Sequence, residues 1–140
     1  MSDVNKALAR RYPMEVFEGN TAIIDEIIAD EFRDHDPQTP SDTPPGPDGA
    51  RLISDAYRTA LHDMRFTIHE QIAEGDRVLT RWTVNANHGG ELMGAAPTGN
   101  PIEFSGLTLI RISNGKIAEE WSNWDGIGLL KQLGQVPVDL

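Results

Sequence analysis

The sequence of 140 residues contains no cysteine. This absence excludes disulfide bonds, thiolate nucleophiles, cysteine-ligated zinc and iron–sulfur clusters. No apolar run approaches the roughly 20 residues that a membrane-spanning helix needs. The N-terminal residues 1–13 also lack the apolar segment of a secretory signal. We therefore expect a cytoplasmic protein with no membrane association.

Positive charge is scarce. The chain has 12 Lys and Arg residues against 22 Asp and Glu, which gives a formal net charge of −10. Nucleic-acid binding depends on clustered Lys and Arg side chains, so we expect no nucleic-acid partner. Acidity by itself favours solubility. An uncharged or weakly charged small molecule fits this composition better than a polyanion.

Several catalytic motifs are also missing. The chain has no G-x-S-x-G elbow, Walker loop, dinucleotide fingerprint or H-E-x-x-H pair. Its three lysines occupy positions unsuited to Schiff-base chemistry, which needs a desolvated pocket. His35 lies between two aspartates, but adjacent residues of an extended chain point in opposite directions and no second histidine is near. We therefore predict no metal site and no cofactor.

The first third of the chain has helical periodicity. Apolar residues recur at helical spacing over 3–17, and Pro13 should kink or interrupt this helix. A second helix is predicted over 22–32, with Thr21 as its cap.

A proline-rich segment separates these helices from the next. Residues 33–46 contain four prolines, which predicts a loop. Pro47 suits the first turn of a third helix, in which Ile53, Tyr57 and Leu61 have helical spacing.

After Met64, apolar and polar residues alternate with the two-residue period of β-strands. Asn114-Gly115 predicts a two-residue hairpin turn before a final long strand. In the segment 102–112, apolar residues occupy both even-numbered and odd-numbered positions, so neither face of this strand should be freely solvated. Helices followed by about four antiparallel strands indicate an α+β fold. The helices can cover one face of the sheet, while the other face meets a partner subunit or encloses a pocket.

The remaining chemistry is acid–base catalysis by carboxylates and imidazoles. The carboxylate candidates are Asp125, Asp34, Asp36 and Glu119. In a regular final strand Ile117, Trp121, Asn123 and Asp125 share one face. This face would combine an apolar wall with a hydrogen-bond donor and a proton acceptor, as small-molecule pockets do. Alternatively, Asp125 caps the terminal helix, and the pattern alone favours the cap.

Two histidines are pocket candidates. His88 shares its parity with Trp82 and so continues the apolar side of its strand. His35 lies where a predicted helix runs into a loop. For each of them, a hydrogen-bonded structural histidine and a pocket residue are equally consistent with the pattern.

Residues 88–99, HGGELMGAAPTG, carry a family resemblance, supported by IAEGDRVLTRWTV at 72–84 and NWDGIGLLKQLG at 123–134. In this order the motifs resemble the polyketide cyclase family typified by SnoaL, within the nuclear transport factor 2-like superfamily. The resemblance covers most of the chain and implies a single domain over residues 1–140.

The resemblance implies a cone-shaped α+β barrel. N-terminal helices pack on a strongly curved mixed or antiparallel sheet that encloses a hydrophobic cavity, and copies associate through the sheet as a homodimer or homotetramer. The implied reaction is cofactor-independent acid–base catalysis, such as intramolecular aldol cyclisation of a polyketide-type ester. The expected ligand is an apolar or aromatic small molecule.

The resemblance also implies site residues. Asp125 fits the family's W-x-x-x-D pattern and becomes the expected catalytic acid–base residue. His35 and His88 match positions where family members often have histidine, so we expect both to bind substrate. Strand parity adds Trp82, Trp121 and Asn123 to the substrate-binding set.

One departure leaves the carbonyl-polarising group unassigned. Some cyclases have a histidine on the strand before the hairpin, where this chain has Arg111-Ile112-Ser113. Two other functions stay open: a non-catalytic carrier for an apolar molecule, and an epoxide hydrolase-like enzyme on the same fold. The latter needs an arginine between two acids, but Arg81 and Arg111 have the parity opposite to the presumed pocket face.

Overall fold

The computed structural model describes residues 2–135 of the chain. Its elements in order are helix α1 (Ser2–Arg11), a π-helical segment (Tyr12–Phe17), a 3-10 turn (Thr21–Ile23), helix α2 (Ile24–Ile27), strand β1 (Ile28–Asp34), helix α3 (Gly46–Ala60), strands β2 (Leu61–Glu74), β3 (Arg77–His88), β4 (Pro101–Ser113) and β5 (Lys116–Trp124), and helix α4 (Gly126–Gln132).

The strands form one open sheet in the order β1-β5-β4-β3-β2. Strand β1 is parallel to β5, and the other neighbours are antiparallel. The helices pack on the sheet, and inner-face side chains of all five strands line one cavity, so the sheet curves around it. The predicted α+β class and cone-shaped architecture are confirmed. None of the helices in residues 2–135 has the length and apolar character needed to cross a membrane.

The helix predicted over 22–32 is wrong in its second half. The helical part ends at Ile27, and Ile28–Asp34 form β1. The consecutive buried residues Ile27 and Ile28 lie at this junction, and Ile28 pairs with Ile117 of β5. Pairing with the sheet edge thus overrides the helical periodicity. The 3-10 turn at Thr21 has no side-chain cap.

Pro13 interrupts the first helix, as predicted. The α-helix ends at Arg11, and the chain widens into the π-helical segment, with Pro13 in its first turn. Proline lacks the N–H that an α-helix needs there and clashes with the preceding turn. Tyr12 and Val16 of this segment are buried. The change of helix type therefore supplies part of the cavity wall.

Two predicted turn signals are confirmed. Pro47 lies in the first turn of α3. Asn114 and Gly115 have φ angles of 51° and 74°, the positive values that a two-residue hairpin turn of type I′ requires.

A β-bulge at Ala118 determines which residues of β5 face inward. Arg111 pairs with Glu119 while Ile112 pairs with Ile117, so β5 has one extra residue between the pairs. Ile117 and Ala118 are both completely buried. Beyond the bulge, the even-numbered residues of β5 face inward. The prediction that one regular face continues from Ile117 to Asp125 is wrong for this reason.

Candidate functional site

A cavity of about 80 Å³ lies between the sheet and the N-terminal helices. Seven aromatic residues line it, and six of them form a closed circuit in which each ring contacts the next, with centroid distances between 5.3 and 6.5 Å. We call this set the aromatic belt: Phe17, Phe66, Trp82, Phe104, Trp124 and Tyr57.

Gly106 allows two tryptophans of the belt to approach across β4. It pairs with Trp82 on one side and Trp124 on the other. A Cβ atom at this position would lie 2.6 Å from Cζ2 of Trp82 and 2.7 Å from Cβ of Trp124. A larger residue would therefore displace the belt.

One wall of the cavity is a row of hydroxyl groups. Thr80, Thr108 and Ser122 occupy paired positions on β3, β4 and β5. Nε1 of Trp82 donates to Oγ1 of Thr108 at 2.9 Å, and the Thr108 and Ser122 hydroxyls are 2.8 Å apart. Ser122 Oγ donates to Oε1 of Glu120 at 2.9 Å. Because Ser122 has one proton to give, Thr108 donates to Ser122, and the whole chain of donors points at Glu120.

Glu120 is the most unusual polar group of the cavity. It is 9% exposed. Its Oε2 atom is buried and has no hydrogen-bond partner in residues 2–135. Buried carboxylate oxygens are normally satisfied by donors, so an unpaired oxygen in a cavity is a functional candidate.

Two aspartates complete an acidic group. Asp34 pairs in register with Glu120 across the parallel β1–β5 ladder, and both line the cavity. Oδ1 of Asp34 accepts from the backbone N–H of Asp36 at 2.7 Å. The carboxylate of Asp36 accepts from the N–H of Gln38 at 2.8 Å and from Nε1 of Trp124 at 3.0 Å.

Burial and nearby negative charge perturb the pKa values of Glu120 and Asp34. Burial is the main cause that raises the pKa of Glu120 well above 4.5, and the negative charge of Asp34 adds to it. The hydrogen bond from Ser122 acts in the opposite direction. Burial is also the main cause that raises the pKa of Asp34. The two carboxyl groups therefore hold protons at a pH where exposed carboxylates are ionised.

Tyr12 brings an unpaired hydroxyl to the same cavity. The residue is 1% exposed, and no hydrogen-bond partner of its hydroxyl lies within residues 2–135. Burial, then the charges of Glu120 and Asp34, raise the pKa of Tyr12 well above 10. Tyr12 is thus a protonated donor next to the acidic group.

Asp125 lies outside the cavity. It is exposed, and its Oδ1 accepts from the backbone N–H of Gly128 at 2.8 Å, which caps α4. The predicted placement of Asp125 on the cavity face is wrong because the bulge at Ala118 shifts the parity, and the cap is the alternative that the structure supports.

Trp121 and Asn123 lie on the outer face for the same reason. Trp121 stacks on His35 with centroids 4.9 Å apart, and the Arg77 guanidinium carbon lies 5.3 Å from its ring centroid. Asn123 is exposed. Their predicted placement in the pocket is wrong. Trp82, by contrast, lies in the cavity lining, and its role in substrate binding stays a prediction.

His35 does not line the main cavity either. Its Nε2 lies 2.8 Å from Oε2 of Glu119, whose Oε1 accepts from Nε of Arg111 at 2.6 Å. The bond from Arg111 is the main cause that lowers the pKa of Glu119. His35 borders a separate hollow of about 270 Å³ beside the proline-rich loop.

His88 supports a loop instead of facing the cavity. It is completely buried, and its Nδ1 lies 3.1 Å from the hydroxyl of Thr98. The Thr98 hydroxyl also accepts from the backbone N–H of Asn100. The HGGELMGAAPTG motif thus joins its own two ends. The cavity placement predicted for His88 is wrong, because the side chain is used to close this loop.

The arrangement needed for an epoxide hydrolase is absent from the described cavity lining, which contains no arginine. Arg81 pairs with Glu70 at 2.7 Å and Arg111 with Glu119, so both arginines bind acids on the outer face. No three His, Asp or Glu side chains of residues 2–135 are grouped as metal ligands.

Sequence reasoning missed Glu120 and Tyr12, although it included Asp34 and Asp36 among the carboxylate candidates. The available signal for Glu120 was the pair of alternating polar residues that it forms with Ser122. That signal is readable only when the inward parity is known. Tyr12 appeared as one apolar position of a regular helix.

Helices on a curved sheet that surrounds an aromatic cavity with buried acids form a nuclear transport factor 2-like fold. Such a cavity is typical of proteins that act on small molecules. The chain belongs to the SnoaL-like polyketide cyclase family, whose model matches residues 6–133. No curated protein matches the sequence.

Solved structures agree with this family. A putative polyketide cyclase from Acidithiobacillus ferrooxidans is 29% identical, with a TM-score of 0.85 over 94% of this chain and 95% of that one. IdmH, a putative polyketide cyclase from Streptomyces antibioticus, is 30% identical, with a TM-score of 0.77 over 93% and 98%. AclR, a putative hydroxylase from Streptomyces galilaeus, is 25% identical, with a TM-score of 0.81 over 97% and 84%.

Proposed function

We propose that the protein is a small-molecule enzyme that uses acid–base catalysis without a cofactor, with Glu120 and Asp34 as the proton-transferring pair. The observation that carries this proposal is the buried Oε2 atom of Glu120, which lines the cavity without a partner among the described residues. The family match supports an enzyme that acts on a small molecule.

The raised pKa of Glu120 suits this role. A carboxylate with a raised pKa is a stronger base than a solvated one, and its protonated form can return the proton near neutral pH. Ser122 holds Oε1 of Glu120, which leaves Oε2 free for the substrate. Asp34 can share the proton because the two carboxyl groups cannot easily both ionise.

The reaction we propose is an intramolecular aldol cyclisation of a polyketide-type ester. One carboxylate of the Glu120–Asp34 pair takes a proton from the carbon next to one carbonyl group, and the resulting enolate carbon forms a bond to a second carbonyl carbon. The second carbonyl oxygen then takes the proton back, so the product is an isomer of the substrate. The unpaired hydroxyl of Tyr12 is the proposed donor to a carbonyl oxygen, the role left unassigned by Arg111-Ile112-Ser113.

The size of the cavity limits the substrate. A cavity of roughly 150 Å³ binds benzene, whereas this one has about 80 Å³. A fused-ring polyketide therefore requires the cavity to expand. A short keto ester needs less rearrangement.

The test measures deuterium incorporation next to the carbonyl group of propanone, the smallest ketone. We expect the wild type to accelerate exchange and Glu120→Gln to lose most of this acceleration, because Gln keeps the shape but removes the base. Asp125→Asn is the matched control: it also removes one carboxylate, and it should exchange like the wild type.

The opposite pattern contradicts the assignment. Exchange that is lost in Asp125→Asn and retained in Glu120→Gln would return the catalytic role to Asp125. Binding of a keto ester without any exchange in the wild type would favour the non-catalytic carrier.

A further inference from the structure

The cavity lining contains acidic side chains but no basic ones among the described residues. Its ionisable acids are Asp34, Asp36 and Glu120, and the lining within residues 2–135 includes no Lys, Arg or His. An acidic ligand would meet three carboxyl groups and no compensating cation. A neutral ligand would bind Glu120 and Asp34 only in their protonated, uncharged forms.

Two unsatisfied polar atoms point to a missing ligand group. Oε2 of Glu120 and the hydroxyl of Tyr12 are both buried and unpaired within the described chain. Each belongs to a residue that is at least nine-tenths buried and that lines the cavity. Leaving such atoms buried and unpaired destabilises the folded protein. A ligand that donates hydrogen bonds to Glu120 would recover part of this cost.

The aromatic belt provides rings that can bind a cation beside the acidic group. Aromatic rings carry negative charge on their faces, so they attract ammonium and guanidinium groups, and recognition of alkylammonium ligands uses such rings. Six rings surround the space next to the acidic group. The cavity volume of about 80 Å³ suits a small head group of this kind.

We infer that the cavity binds a substrate that carries a protonated amino group, which donates to Glu120 Oε2 inside the aromatic belt. This inference deepens the proposed function, on which it rests, by naming the ligand class of the same site. Glu120 then pairs with the ammonium through Oε2, and Asp34, the other member of the proposed pair, takes the substrate proton. The missing grouping of metal ligands in residues 2–135 favours an organic cation over a metal ion.

Proton linkage distinguishes a cation from other ligands. Glu120 faces Asp34 and Asp36 from β1 and the following loop, Tyr12 from the π-helical segment, and Tyr57 from α3. The charged neighbours of Glu120 within residues 2–135 are acids, whereas His35 acts on Asp34 and lowers the pKa of that carboxyl. Because burial raises the pKa of Glu120, a bound ammonium group must release a proton from the acidic pair, and its affinity must increase with pH.

The experiment compares three ligands with one carbon skeleton by titration calorimetry: isobutylammonium, isobutanol and isovalerate. We expect only isobutylammonium to bind well, more tightly at about pH 8 than at about pH 5, since alkylammonium groups stay protonated over this range. Calorimetry in buffers of different ionisation enthalpy should show net proton release.

Glu120→Gln should weaken isobutylammonium binding about tenfold or more, because one charge and one charge-assisted hydrogen bond are lost. Glu91→Gln is the matched control. Glu91 is exposed on the loop between β3 and β4, and its replacement by Gln removes the same charge. The affinity of this variant for isobutylammonium should equal that of the wild type. The wild-type pH dependence and proton release test the inference even if Glu120→Gln is unstable.

Equal binding of isobutanol and isobutylammonium, tighter binding of isovalerate, or pH-independent binding without proton release would each overturn the inference. These results are separable from the proposed function. If isobutylammonium does not bind but Glu120 is still needed for deuterium exchange, the cation inference fails and acid–base catalysis stands. If isobutylammonium binds as expected but the wild type does not accelerate deuterium exchange, acid–base catalysis fails and the cation inference stands.

Discussion

Asp34 and Glu120 lie opposite each other on neighbouring parallel strands, and both side chains reach the same cavity. Two carboxyl groups in this arrangement repel each other when both are ionised, and burial removes the water that would screen them. The fold therefore holds an unfavourable pair of acids in place. Natural proteins retain such costs mainly at functional sites.

Stability should depend on pH through Glu120. Its pKa is raised in the folded state, so its contribution to stability is full below its ordinary pKa of 4.5 and is lost as the pH rises through the raised value. Gln does not titrate. We expect the free energy of unfolding of Glu120→Gln, measured in urea, to increase relative to the wild type between about pH 5 and about pH 8, by about 1.4 kcal/mol for each pH unit by which the pKa is raised.

The exposed replacement Glu91→Gln is the control for that comparison, and its pH dependence should follow the wild type. Parallel curves for Glu120→Gln and the wild type would show that Glu120 is not the group whose proton uptake accompanies folding.

Removal of the Ser122 hydroxyl should shift the pH dependence of catalysis. The bond from Ser122 lowers the pKa of Glu120, so Ser122→Ala should raise that pKa further. The acidic limb of the rate profile for deuterium exchange should move to higher pH by roughly 0.5–1 unit. Ser105→Ala, on the exposed outer side of β4, is the control and should leave the limb unchanged. An unmoved limb in Ser122→Ala would mean that Glu120 does not control the rate.

The bond between His88 and Thr98 should stabilise the loop that connects β3 to β4. Thr98→Val removes the only hydroxyl near Nδ1 that the described residues provide, and it leaves a fully buried imidazole without its partner. We expect a loss of about 1–3 kcal/mol in urea unfolding. Thr67→Val, exposed on β2, should change stability by less than about 0.5 kcal/mol. Equal effects of the two changes would contradict a structural role for His88.

We propose that the outer sheet face binds a second copy of the chain. Ile72, Leu79, Leu109 and Trp121 form one row across four strands, and Leu107 beside them is 45% exposed. An apolar face of this kind favours association. Leu107→Glu should therefore produce a monomer in light scattering coupled to size-exclusion chromatography.

Leu52→Glu is the matched control for association, because Leu52 is 57% exposed on α3, away from the sheet face. It should leave the oligomeric state unchanged. A wild-type protein that is monomeric at all concentrations would contradict association through the sheet, whether as a dimer or as a tetramer. Association through the sheet and a cytoplasmic location both stay predictions.

Local chemistry in the sequence predicted the features that depend on a few neighbouring residues. Pro13 interrupts the first helix, Pro47 begins α3, and Asn114-Gly115 form the hairpin turn, because each of these residues restricts or permits backbone angles by itself. The order of helices and strands and the family motifs then determined the α+β fold. The cap formed by Asp125 was also readable from the residues that follow it.

The tertiary structure alone decided which side chains meet in the cavity. A single extra residue at Ala118 reverses the parity of β5, which turns Glu120 and Ser122 inward and Asp125 outward. The pairing of Ile28–Asp34 with β5 likewise converts a predicted helix into the strand that carries Asp34. Both outcomes depend on hydrogen bonds between segments far apart in the chain, and residue patterns within one segment do not encode them.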